Sequence, residues 1–134
     1  MKIMGFTHIE GRKEMLLKGD SALLVNKKPF FMPEETSRLA AHPCLVLRIS
    51  KLGKNISPRF AHRYIDAYAA GLHLEDEDAL HKAIAEGHSW LPAVAADGSL
   101  PVGTFIPLHT EGPLTGMLRF QSDADERSIA FSDE

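Results

Sequence analysis

The sequence predicts an α+β domain: a mixed, β-rich core that carries two helices. Three observations lead there. Several short apolar runs have strand length, two capped helical patterns lie between them, and strands and helices do not alternate regularly.

Taken in order, residues 21–25 and 28–32 read as two short strands around a polar Asn26-Lys27 turn, with Pro29 placing the second at an edge. Residues 44–49, CLVLRI, are apolar at nearly every position and read as a strand buried on both faces. After a turn at 51–55, Ser57 is a good N-cap and Pro58 suits a first helical position. Phe60, Ala61, Tyr64, Ile65 and Tyr68 then form one apolar stripe, so the first helix is expected from Ser57 until Gly71. A short strand is expected at 72–74. The second helix is expected from about Glu75 to Glu86, with Ala79, Leu80, Ala83 and Ile84 on its buried face and Gly87 as its stop. Strands are expected near 102–108 and 114–121 and a further one at 128–131, within an acidic tail of about 122–134 that is expected to be partly flexible.

The chain has 134 residues, which sets the expectation of a single domain spanning 1–134 with a core of its own. A net charge of −3 gives no electrostatic reason for nucleic acid as a partner. No apolar run approaches the ~20 residues of a membrane span, and the first residues lack a signal-peptide core. One cysteine, Cys44, cannot form an intramolecular disulfide and fits a reducing compartment, so a cytoplasmic protein is expected.

Three segments, at 19–33, 45–72 and 87–108, together resemble the fumarylacetoacetate hydrolase family, metal-dependent hydrolases and hydratases of 2-oxo and 1,3-diketo acids. The middle one, LVLRISKLGKNISPRFAHRYIDAYAAGL, carries most of the likeness, and the last contains the Asp97-Gly98 loop. The resemblance implies the fold of that family's C-terminal domain. It also implies a divalent cation held by a Glu-x-Glu pair and an Asp, because hard cations take oxygen ligands and alternate strand positions face one way. Counted along this chain, those positions hold His42, Cys44 and His73. The family's Arg and Gln fall on Glu77 and Leu80, and its lysine before the Asp-Gly loop falls on Val94. Lys18 and Asp97 match, whereas the catalytic-histidine loop is shortened between Phe6 and Met15, and His8 has no secure counterpart. The resemblance also implies further core strands and a closing loop after residue 108 that this sequence does not supply.

Two readings of His42, Cys44 and His73 follow. One is a changed metal site, since a thiolate and two imidazoles suit Zn2+ or a similar divalent metal and not Mg2+. The other is that these residues simply pack where the ligands were. For the remaining residues the plainer reading is favoured: Cys44 as an inert thiol, His81 and His88 as exposed, and Phe30, Phe31, Tyr64 and Tyr68 as core. The acidic run 75–78 is read as charge complementing a helix start, while Trp90 is read either as a lid on the core or as part of an interface. The expected protein is a shortened, divergent family member without the metal-dependent hydrolase or hydratase activity, retained for a binding or interaction role. A small oxo-acid is a possible ligand, with a homodimer or higher homo-oligomer covering exposed sheet edges. The alternative is a hydrolase or lyase using the altered His/Cys site.

Overall fold

The computed structural model describes residues 1–108, 116–121 and 126–131. It shows the expected α+β class, with strands dominating and few helices. By internal contacts the chain forms two compact units, one from 1–44 with 71–103 and the other from 45–70 with 104–134.

The first unit begins with an antiparallel hairpin of β1 (Ile3–Ile9) and β2 (Arg12–Lys18), in the register Ile3 opposite Lys18 through Ile9 opposite Arg12. Glu10 and Gly11, both at positive φ, make its two-residue turn. Ile3, Gly5, Thr7 and Ile9 face inward, as do Leu16 and Lys18 across the pair. A 3-10 turn at Asp20–Ala22 leads into β3 (Leu23–Leu24). That strand pairs in parallel with β6 (Leu100–Pro101), not with residues 28–32, so the expected hairpin is absent. The turn at Asn26-Lys27 does take the positive φ of a tight hairpin turn, but Pro29 lacks a donor for a ladder bond, and β3 pairs with β6 instead.

Strand β4 (Leu39–Ile49) is longer than expected, and it is half-buried to exposed rather than buried on both faces. The largest correction concerns the first helix. Ser57 and Pro58 do open a turn, but only a 3-10 segment, Pro58–Tyr64, without a side-chain cap bond. From there the chain is β5 (Ile65–Asp76), in which Ala67, Ala69, Gly71, His73 and Glu75 are buried with period two. The helical stripe ending at Tyr68 was a coincidence of spacing: the buried alternation is carried by small residues that a hydrophobicity count passes over. Strands β4, β5 and β7 (Ile106–Pro107) form one sheet.

Helix α1 (Glu77–Ala85) matches the second expected helix, and Asp76 caps it by accepting from the Ala79 amide at 3.0 Å. A short α2 (Leu91–Val94) follows. Leu16, Leu80 and Val94 form the core of this unit, with Ile9, Ile84, Ala93 and Trp90 packed on it. Trp90 therefore covers the core. Phe31, expected in the core, is 81% exposed. Truncating Leu80 to alanine should cost about 3 kcal/mol of stability, measured by urea unfolding, because it empties the centre of the small cluster.

In the second unit, a hairpin of β8 (Gly116–Gln121) and β9 (Glu126–Phe131) gives the acidic tail an ordered strand. The start of the strand expected at 114–121, and residues 122–125 and 132–134 of the tail, lie outside the described residues. Arg48 and Asp66 form a bidentate exposed pair, at 2.7 and 3.0 Å, which holds the Asp66 carboxyl below its usual range.

Candidate functional site

The polar centre of the first unit is assembled from strands. His73 and Glu75 are two residues apart on β5 and so share a face. Both oxygens of Glu75 are taken: Oε1 lies 2.9 Å from His42 Nε2, on β4, and Oε2 lies 3.0 Å from His73 Nε2. The two imidazoles lie roughly parallel, with ring centroids 6.0 Å apart and an angle of 28° between them. Glu75 and His73 are buried, whereas the side chain of His42 is about half exposed. The bond from His73, opposed by burial and reinforced by the bond from His42, keeps the Glu75 carboxyl below its ordinary range, so it is ionised at neutral pH. Nδ1 of His73 is buried with no hydrogen-bond partner among the described residues.

Lys18 closes the other side. Its Nζ donates to Ser99 Oγ at 2.7 Å, Ser99 O at 3.0 Å and Leu74 O at 3.4 Å, which uses all of an ammonium's donors. Burial lowers its pKa to about 8, against the opposing fields of Cys44 and Glu75. Burial likewise raises the Cys44 thiol, with the Lys18 charge and the His73 backbone N–H acting the other way. Cys44 is thus held mostly as a neutral thiol, a poor nucleophile.

The expected site residues are therefore gathered, though not as a set of three ligands. His42 and His73 meet through Glu75, which in the sequence reads as part of the acidic start of α1. The other acids of that run do serve the helix: Asp76 caps it, Glu77 pairs with Arg38 at 2.9 Å and Asp78 accepts from Ser37 at 2.7 Å. The missed signal was His73-x-Glu75, two polar residues at strand spacing. Ser99 was also missed, and nothing in its sequence context marks it. Among the described residues, no group of three or more His, Cys, Asp or Glu is arranged to hold a metal ion. His81 and His88 are exposed, as expected. His8, also exposed, sits on the outward face of the hairpin. Asp97 is exposed beside Gly98, whose φ of 70° makes the turn.

A pocket of about 360 Å³ adjoins Glu75 and Ser99. Its wall is chiefly apolar, with Phe30, Leu39, Leu74 and Pro92, and its charged lining groups are Glu35, Glu75 and Asp76.

Over 98 residues, 72% of its length, the chain is 32% identical to the oxaloacetate tautomerase fahd-1, mitochondrial, of Caenorhabditis elegans. Its fold matches a fumarylacetoacetate hydrolase family protein of Yersinia pestis with a TM-score of 0.77, at 21% identity, over 96% of this chain and 64% of that one. This chain belongs to the fumarylacetoacetate hydrolase family. The fumarylpyruvate hydrolase of Pseudomonas aeruginosa, solved with Mn2+ and pyruvate, superposes with a TM-score of 0.70 at 21% identity, over 90% of this chain and 53% of that one. The chain spans about half the length of the curated relative, 46%. No family model matches it.

Two imidazoles and a thiol stand where the resemblance places three carboxylates, and the one carboxylate at hand already accepts from both rings. These residues do not fit an oxygen cage for Mg2+. Leu80 and Val94, where the resemblance implies a Gln and a Lys, are buried in the hydrophobic core, Val94 completely.

Proposed function

We propose that this chain is a family member of oxo-acid-processing ancestry that has given up Mg2+-dependent hydrolysis and serves as a binding or interaction protein. The observation that carries the proposal is the Glu75 carboxylate spanned by His42 and His73. A metal that stabilises an enolate must sit where its charge reaches the substrate oxygen. Here the carboxylate at that place is already engaged by two imidazoles. Two further facts support the reading: Leu80 and Val94 are core residues, and Lys18 donates all its protons within the protein. An anionic oxo-acid entering the pocket would meet the carboxylates of Glu35, Glu75 and Asp76 and no free Lys18 proton, which favours interaction over turnover. No described helix is long and apolar enough to cross a membrane, and the lone half-buried thiol suits a reducing cytoplasm.

A second reading is a zinc-type centre, with hydrolase or lyase activity on a small oxo-acid. It is favoured by the convergence of two imidazoles on one carboxylate, with Cys44 beside the His73 backbone and in the field of Lys18. Zn2+ would supply a water acidified to near neutrality.

One experiment addresses both. Untagged protein prepared without chelator is assayed for metal content, then for turnover of an acylpyruvate and of oxaloacetate with Mg2+, Mn2+ or Zn2+. The expected result is no stoichiometric metal and no rate above the metal-only blank. Turnover at about 1 s⁻¹ or more with Mg2+ or Mn2+ overturns the first reading. Stoichiometric zinc with turnover establishes the second.

A further inference from the structure

Residues 51–63, which follow β4 in the second unit, form a closed loop. The Ser50 amide donates to the Tyr64 carbonyl at 2.9 Å and joins its two ends. Gly53 fixes its fold: a Cβ there would lie 2.6 Å from Tyr64 Cε1 and 2.8 Å from Ile56 Cδ1, so the backbone packs directly on both side chains. The neighbouring Leu52 is fully exposed. The loop holds Lys51, Lys54, Arg59 and Arg63 and no Asp or Glu, a charge of +4 in a chain whose net charge is −3. All four cations are exposed. Arg38 and Arg48, which precede the loop, pair with Glu77 and Asp66. Among the described residues none of the loop's four cations has such a partner. The guanidinium groups of Arg59 and Arg63 instead both lie over the Phe60 ring, 4.6 and 4.8 Å from its centre.

We infer that this loop is a docking element for an anionic phospholipid surface. Like charges gathered without counter-charge repel one another, and the repulsion is relieved when an anionic partner approaches. Leu52 narrows the choice of partner. Set between two lysines, its side chain is placed to enter the headgroup boundary while they meet the phosphates. A lipid surface supplies the anionic plane and the apolar medium together, and it demands no matching pocket from a compact loop. A nucleic acid supplies the anions but leaves Leu52 in water. The Phe60 ring, engaged by two guanidinium groups, is also a poor platform for a base. The inference rests on the loop alone, so it stands or falls separately from the state of Glu75.

Vesicle flotation with the whole chain tests it, using about 30% phosphatidylserine in phosphatidylcholine at roughly 0.1 M salt. The wild type is expected to bind these vesicles, to ignore phosphatidylcholine alone and to be released as the salt rises towards about 1 M. Each cation removed is expected to weaken binding roughly fivefold, so Lys51→Gln with Lys54→Gln weakens it about twenty-five-fold. Leu52→Ser is expected to weaken it at least about fivefold without changing retention on heparin, a soluble polyanion. Lys27→Gln with Lys28→Gln removes two exposed lysines outside the loop and is expected to bind as the wild type does. All the changed residues are exposed, so the circular dichroism spectra are expected to match the wild type. No binding to the anionic vesicles overturns the inference, as does equal binding to phosphatidylcholine. So does binding that Leu52→Ser leaves unaltered, which marks a plain polyanion site such as a nucleic-acid contact, or that the change at Lys27 and Lys28 weakens equally.

Discussion

Replacing Glu75 by alanine should lower the stability of the protein by about 3 kcal/mol, because it strips a buried cluster of the group on which the others converge. His73 already has one buried nitrogen without a partner, and without Glu75 neither ring nitrogen would have one. His42 loses less, since water reaches it. The same substitution should change the response to acid. In the fold the Glu75 carboxyl ionises below its ordinary value of 4.5. The folded state therefore binds fewer protons than the unfolded chain on the acid side, and stability falls as pH drops from about that value through the folded pKa. Urea unfolding of the wild type should show this loss below about pH 4.5, and Glu75→Ala should show less of it. Lys18 supplies a second readout: without the neighbouring carboxylate its pKa should move further below about 8, which NMR titration of the side chain would follow. An unchanged acid limb would mean that the bridge contributes nothing.

Placing carboxylates at positions 42, 44 and 73, where the resemblance implies them, should create a dependence on Mg2+ or Mn2+. The triple change His42→Glu, Cys44→Glu and His73→Asp brings three anions together beside Glu75. Without a cation, their repulsion should destabilise the fold and lift at least one carboxyl pKa. With Mg2+ or Mn2+ at a hundredfold excess over its dissociation constant, stability should rise by about 3 kcal/mol, while wild-type melting stays unchanged. Thermal unfolding with and without metal reads this directly. Metal binding is expected without turnover, because Leu80 and Val94, where the resemblance implies polar groups, are core residues. A variant indifferent to Mg2+ would show that these positions do not form a ligand set in this chain.

The sequence disclosed the chemistry of this site better than its geometry. Membership of the family followed from motif order alone. So did α1, whose acidic start and Gly87 stop are local signals. The strand character of 65–76 did not follow, because its buried positions are mostly alanine and glycine, and because Ser57-Pro58 does start a turn that ends within seven residues. The N-terminal hairpin was hidden by its own composition. With apolar residues on both faces and charges scattered between them, it shows no clean alternation, and its tight turn rests on a Glu10-Gly11 pair that sequence does not single out. Glu75 escaped because four acids in a row look like one feature, whereas a strand end and a helix cap divide them between two tasks.

Lys18 shows what such a division does to inference by motif. It occupies a family position, it is a lysine, and its pKa of about 8 would pass for that of an activated amine. Yet its ammonium ties the end of β2 to the carbonyl of Leu74 and to both oxygens of Ser99, as a crossbeam ties walls. Ser99 in turn passes the connection to the Val94 carbonyl, 3.4 Å away. A lysine that a motif would mark for chemistry serves here as joinery.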